Sequence, residues 1–374
     1  MKVVAMASVG FGFIFLALAG NPASVEALSC GDTIPAGSGT VVLSADLNCF
    51  MTTGLRVTGP KTTLNMAGHS LSGGGSISNG ITLVGSGATL MNGSVVGWVI
   101  GVSVAGTGGH QVLNMVADFN NAGFSVESDS NTVAQSSATD NNNTGFDVNG
   151  GSNEFDNDTA SSNLGRGFQI NGDSNVVKVS AAVANSFLPG ACLGGFTING
   201  NRNRLWKNTS SGNCGNGFEI ESGADLNLFK ENVAVGNESK KTTDLLLEAH
   251  GFYVVGPEGV FDSNIAIDNR SGDGFRFDTG TALNEVDNNS AIGNIDGITL
   301  RGTIFNSLTG NHLYSNSFTG IVVNAGAGSN EIDGNYALSN IAFDLLDLNV
   351  NPSCGTNIWS SNIFNPSGVA PCIH

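Results

Sequence analysis

Seven side chains between positions 219 and 301 are of types that move protons or neutralise charge: Glu219, Glu221, His250, Tyr253, Arg276, Asp278 and Arg301. A histidine or tyrosine serves as general base or acid, and a guanidinium neutralises a carboxylate on a reacting molecule. Two carboxylates two residues apart on a strand stand roughly 7 Å apart, from the rise per residue. That is near the separation at which one carboxyl protonates a leaving oxygen while the other activates water, and Glu219 and Glu221 have this spacing. Glu219, Glu221 and Asp278 would also supply oxygen ligands for Ca²⁺, an alternative neutraliser. Mixed charges on a soluble surface are commonly solvated or paired, so these residues matter only if the fold gathers them on one face.

The elements that would gather them are short and repeated. A tetrad Gly-apolar-x-apolar starts at Gly54, Gly80, Gly101, Gly123, Gly145, Gly167, Gly195, Gly217, Gly251, Gly274, Gly297 and Gly320, with a degenerate copy at Ala342. From Gly80 the steps are 21, 22, 22, 22, 28, 22, 34, 23, 23, 23 and 22 residues. A second pattern, apolar-x-x-polar-x-small-x-x-Asn, runs in the same period from Val133, Phe155, Val177, Leu205, Phe229, Phe261, Val286, Leu308 and Ile332. It ends on an asparagine column that includes Asn141, Asn163, Asn185 and Asn213. No window has apolar residues at helical spacing, and Asn, Gly, Ser and Thr dominate, which excludes helical repeats. The apolar-x-apolar pieces read as short strands. About 22 residues suffice for three strands and three turns, one coil of an all-β parallel solenoid of about 13 coils.

Stacked coils give the columns a purpose. Asparagine tolerates a left-handed turn, and its amide can bond from coil to coil. The tetrad glycine suits a positive φ or a close backbone approach. The outward positions are the third residue of the tetrad and the one after the fourth. Glu219, Glu221, Tyr253, Arg276, Asp278 and Arg301 then share one face. Two turns are lengthened beside it, one with SFLPGAC before Gly195 and one with ESKKTTDLLLEAH before Gly251. The second brings Lys240, Lys241, Glu248 and His250. Insertions on a solenoid usually build the functional wall. His69, His110 and His312 read as turn residues rather than ligands.

Over roughly residues 50–345 this pattern resembles the right-handed parallel β-helix repeat family, the pectin-lyase-like fold shared by pectate lyases, polygalacturonases and alginate epimerases. The right hand follows from that resemblance and from the handedness of parallel crossovers. The resemblance implies a polysaccharide partner and an activity of lyase, epimerase or glycoside hydrolase. On a uronate substrate Arg276 or Arg301 would neutralise the carboxylate, with Tyr253 or His250 as base or acid. No N-T-D motif with a downstream D-D pair and no D-P-H-D motif is present. The rival reading is therefore a non-catalytic surface or matrix solenoid that binds glycans.

Composition frames both readings. The chain of 374 residues has a formal net charge of −17, with 14 Lys and Arg, which disfavours nucleic acid and anionic membranes as partners. The opening residues, MKVVAMASVGFGFIFLALAG, read as a secretory signal cleaved after Ala19 or Ala27. The expected segments are a signal over 1–27, an N-terminal cap over 28–53, the β-helix over 54–348 and a C-terminal cap over 349–374. Secretion to an extracellular or periplasmic space, no membrane association after cleavage, and a monomer are the accompanying expectations. Six cysteines fall in three local pairs, which would give Cys30–Cys49, Cys192–Cys214 and Cys354–Cys372. The absence of any C-x-x-C spacing disfavours zinc.

Overall fold

The structure, a computed structural model, describes residues 24–75, 78–186, 192–239, 248–349, 354–365 and 372–373. The expected signal, Lys240 and Lys241 lie outside the described residues, except for the signal's last four positions. Most coils contribute three strands, such as Thr132–Ala134, Ser137–Thr139 and Phe146–Val148. Each strand pairs in parallel with its counterpart one coil on, as Phe146 does with Phe168 and Ala138 with Ala160. One sheet collects fourteen strands, one per coil, from Thr33–Ile34 to Phe343–Asp347. The other two strands of each coil merge into a 27-stranded sheet, because Ala88–Val96 and Gln111–Asp118 bend around a corner and pair with both series. The architecture is the expected parallel β-helix, with fourteen coils where about 13 were counted. The additional strand, Thr33–Ile34, pairs with Arg56–Val57 and carries the ladder into segment 28–53.

The core is the inward residue of each strand. Phe124, Phe146, Phe168, Phe196, Phe218, Phe252 and Phe275 are fully buried and form one continuous ring stack. Successive centroids in the middle of the stack are 4.7 to 4.9 Å apart, the spacing of the coils themselves. The tetrad glycine does not adopt positive φ here. Gly145 is needed for space: a Cβ there would lie 2.8 Å from Gly167 O and 2.9 Å from the Ala160 methyl.

The asparagine ladder is present, but its asparagines are not the left-handed residues. Their predecessors are, among them Asp140 (φ 50°), Ser162 (φ 55°) and Ser315 (φ 54°). The turn aims each predecessor outward and tucks the asparagine amide inside. There its Oδ1 accepts the neighbouring coil's backbone N–H, as in Asn141 N to Asn163 Oδ1 at 3.1 Å. Its Nδ2 donates back to a carbonyl, as in Asn163 to Ala138 O at 3.0 Å. Corner N–H groups that the β ladders cannot reach are thereby satisfied. Two more ladders occupy the other corners, through Asn208, Asn232 and Asn264 and through Asn284, Asn306 and Asn330. His69 and His110 sit in turns, whereas His312 begins strand His312–Tyr314 and stacks on Tyr336.

Three successive rungs, Ser136, Asp158 and Ser180, depart from the pattern, and the middle one can carry a charge. Asp158 takes an asparagine position with 1% of its surface exposed. Its Oδ1 accepts Ser136 N–H at 2.8 Å, while Oδ2 has no hydrogen-bond partner. Burial pushes its carboxyl well above the usual range. A raised folded pKa gives stability that is complete below the unfolded value of 3.8 and lost as pH rises through the folded value. Asp158→Asn supplies the amide donor used by the asparagines further along the ladder and does not titrate. It is expected to raise stability near neutral pH by about 1–3 kcal/mol, with the gain fading in acid. Thermal unfolding at two pH values checks this, and a lower melting temperature for the variant at neutral pH would refute it.

All three cysteine pairs are bonded as expected, Cys30–Cys49, Cys192–Cys214 and Cys354–Cys372. No helix among the described residues is long and apolar enough to cross a membrane.

Candidate functional site

The outward face of the fourteen-stranded sheet brings the expected residues into register. Thr197, Glu219, Tyr253, Arg276 and Thr299 follow one another across five coils, each paired with the next. Their neighbours in sequence are inward phenylalanines and aliphatics, so the strand alternation fixes their outward aim. A groove of about 300 Å³ is lined by Asn216, Glu248, His250, Tyr253, Arg276, Asp278 and Arg301. Five of the seven residues singled out in the sequence line it. Glu219 lies one coil away, beside Tyr253 in register, and Glu221 follows the end of the same strand, Phe218–Ile220; neither lines the groove.

Arg276 is the hub. Its Nη1 pairs with Glu248 and lies 3.9 Å from Asp273 Oδ2. Its Nε lies 3.3 Å from Asp278 Oδ2 without making a hydrogen bond. Tyr253 donates its hydroxyl to Asp278 Oδ2 at 3.4 Å, and Arg301 Nη1 stands 3.9 Å from the same oxygen. Arg276 is 11% exposed in its side chain and Arg301 56%, so Arg276 is a largely buried scaffold cation and Arg301 an exposed, loosely paired one.

His250 is engaged on both sides. Its Nδ1 accepts the Asp273 backbone N–H at 2.8 Å, which places the ring hydrogen of the neutral form on Nε2. Nε2 faces Glu248 Oε2 at 3.4 Å, and the ring stacks on Tyr253 with centroids 5.4 Å apart. Asn216 Oδ1 accepts the His250 backbone N–H at 2.8 Å. Asn216, His250, Asp273 and Asp296 thus form a column of their own, one residue before each tetrad glycine. Sequence reasoning passed over Asn216 and Asp273. The position preceding the glycine was the available signal, since Arg166, Asn216, His250, Asp273 and Asp296 all occupy it.

The electrostatics are uneven. The hydrogen bond from His250, with help from the Arg276 charge and against some burial, holds the Glu248 carboxyl down at about 2. Burial, then repulsion from Asp278, raises the Tyr253 phenol, so it keeps its proton. Burial also raises Asp273, although His250 and Arg276 oppose it, and lifts Asp296 to about 6 with repulsion from Asp273. Glu219 is lifted to about 7 by burial and then by Glu221, against the Arg166 charge and an Asn216 hydrogen bond.

The Ca²⁺ set of Glu219, Glu221 and Asp278 is not assembled. Asp278 is turned to Tyr253 and the two arginines, two coils beyond Glu219. Among the described residues no group of three or more His, Cys, Asp or Glu could hold a metal ion.

The lifted Glu219 has a thermodynamic consequence. Its folded pKa of about 7 exceeds the ordinary 4.5, so its stabilising contribution is complete below 4.5 and lost as pH rises through about 7. The difference corresponds to about 3 kcal/mol. The melting temperature is expected to fall between pH 5 and about 8, and Glu219→Gln to flatten the fall. An unchanged slope in the variant would show that the carboxyl titrates normally.

No family model matches the sequence, and no curated protein matches it. Among solved structures the chain is similar to the Dettilon tailspike protein, with 14% identity and a TM-score of 0.44 over 81% of this chain and 58% of that one. It is also similar to PfbA, a surface adhesin of Streptococcus pneumoniae, with 13% identity and a TM-score of 0.43 over 83% and 84% of the two chains. A third is the A-module of the Azotobacter vinelandii mannuronan C-5 epimerase AlgE4, with 13% identity and a TM-score of 0.41 over 91% of each. The chain spans 58% of the tailspike's length.

Proposed function

We propose that this protein is exported and acts on an acidic polysaccharide, moving a proton at the carbon beside a uronate carboxylate. The observation that supports this is a protonated phenol and an exposed guanidinium lining one groove, with a poised carboxyl beside the phenol on the adjoining coil of the same sheet face. Arg301, only loosely paired, receives the sugar carboxylate and disperses the charge that builds when the adjacent C–H is broken. Glu219, with its carboxyl near 7, is the group best matched to accept that proton. Tyr253 keeps its proton and donates it, either to the leaving glycosidic oxygen in elimination or to the opposite ring face in epimerisation. His250 has both nitrogens occupied and acts by fixing Tyr253 through stacking and Glu248 through Nε2. The three disulfides fit folding in an oxidising compartment, as export requires.

A second reading is supported by a different observation. Arg276 and Arg301 together offset Glu248 and Asp278, so the groove is already charge-balanced without substrate. On that reading it binds a glycan without transforming it.

Purified protein incubated with polygalacturonate, alginate and a neutral glycan, with and without Ca²⁺, separates the two. Ultraviolet absorbance from unsaturated uronate reports elimination, and nuclear magnetic resonance reports inversion at C5. Either signal supports the catalytic reading. Silence in both, with retained glycan binding, overturns it in favour of the binding solenoid.

A further inference from the structure

The large sheet carries a feature the groove does not use. Trp206 is 43% exposed, whereas the other two tryptophans, Trp98 and Trp359, are 2% and 4% exposed. Its outward neighbours in register are Lys178 on the preceding coil and Lys230 on the following one. At strand spacing that sets a lysine about 4.8 Å to either side of the indole. Lys207 places its Nζ 4.7 Å from the ring centroid. Arg204, on the same strand, points outward and is exposed, and it makes no ion pair among the described residues. These four cations come from only 14 in a chain of net charge −17.

The anions around this cluster lie at its rim. Lys178 pairs with Glu154 and Asp156 on the preceding coil, Lys230 with Asp262 on the following one, and Lys207 with Glu231. The centre of the face is therefore a flat indole bordered by positive charge, with carboxylates beyond. Core packing does not require this arrangement, because the inward residue of that strand is Leu205. An exposed aromatic face stacks on the apolar face of a sugar ring, and flanking ammonium and guanidinium groups meet its anionic substituents.

We propose that Trp206, with Lys178, Arg204, Lys207 and Lys230, forms a second binding surface for an acidic polysaccharide, on a different sheet from the groove. It takes its polymer class from the reading above but is physically separate from that site. Its work is retention: a long chain held at Trp206 raises the local concentration of polymer at the protein without touching the reacting atoms.

The change in tryptophan fluorescence on binding reports this site, since Trp98 and Trp359 are buried out of a ligand's reach. Polygalacturonate fragments, neutral β-glucan fragments of matched length and single-stranded DNA are titrated into the wild type, Trp206→Ala and Arg204→Gln. Binding of the variants, including the one lacking the indole, is measured by calorimetry. The expected result is a saturable fluorescence change with polygalacturonate that weakens with added salt. Affinity should fall at least tenfold in Trp206→Ala and Arg204→Gln. No fluorescence change, an equal response to neutral glucan or to DNA, or wild-type affinity in both variants overturns the proposal. Fluorescence binding with no product from any polyuronate leaves this site standing and sinks the catalytic reading. Product formation with no response at Trp206 does the reverse.

Discussion

Asn232→Ala is expected to be among the most destabilising single changes in the molecule, at about 2–6 kcal/mol. Its Oδ1 accepts both the backbone N–H and the Nδ2 of Asn208, at 2.9 and 3.0 Å. Its Nδ2 donates to Leu205 O at 2.8 Å and to Asn264 Oδ1 at 3.0 Å. Alanine leaves the Asn208 backbone N–H and one hydrogen of its side-chain amide buried without acceptors, and each such group costs about 1–3 kcal/mol. The position is fully buried, so water cannot replace what is lost. Because each coil touches chiefly its neighbours, the damage should be local, and a single melting temperature would blur it. Hydrogen exchange is the sharper measurement: the Asn208 amide and those of the adjoining strands should lose protection while distant coils keep theirs. Full protection at Asn208 would mean that the ladder is ornament rather than support.

Tyr253→Phe is the largest expected effect on activity. It removes one oxygen whose only hydrogen bond among the described residues is to Asp278 at 3.4 Å, so the fold and the phenylalanine stack beneath should be unaffected. If the phenol donates the proton in the chemical step, turnover falls by a factor of about 10²–10⁴, with KM changed little and the melting temperature preserved. A drop in affinity at constant turnover would instead make the hydroxyl a binding contact. Arg276→Ala is less informative, because it would strip a buried cation from Asp273, Asp278 and Glu248 together and confound stability with chemistry.

Much of the architecture was legible in the sequence because a solenoid repeats its constraints. A Gly-apolar-x-apolar tetrad and an asparagine recurring every 22 or so residues recover the strands, the ladder and the shared face of Tyr253, Arg276, Asp278 and Arg301. What could not be read arises at the corners. That Asp140 and Ser162, not the asparagines after them, take the left-handed conformation depends on which side chain turns inward, and residue type does not decide it. Asn216 and Asp273 precede the tetrad glycines, where serving the backbone and facing the groove look alike in sequence. Glu219, Glu221 and Asp278 are not brought together because spacing along a strand gives proximity, whereas the partners of Asp278 are set by Arg276 and Arg301 on its own and the next coil. The insertions have no period, and pattern carries no information there.

The stacking of coils also gives the molecule a mechanical character. Tension applied to its two ends would act on one coil boundary at a time, and each release would free about 22 residues, roughly 75 Å of extended chain. Cys192 and Cys214 are 22 residues apart, so their bond spans one such unit. Under oxidising conditions that length is withheld, and a pulled chain would skip one step just before the coils that carry the groove. The bond works as a knot in the rope, placed between the load and the site.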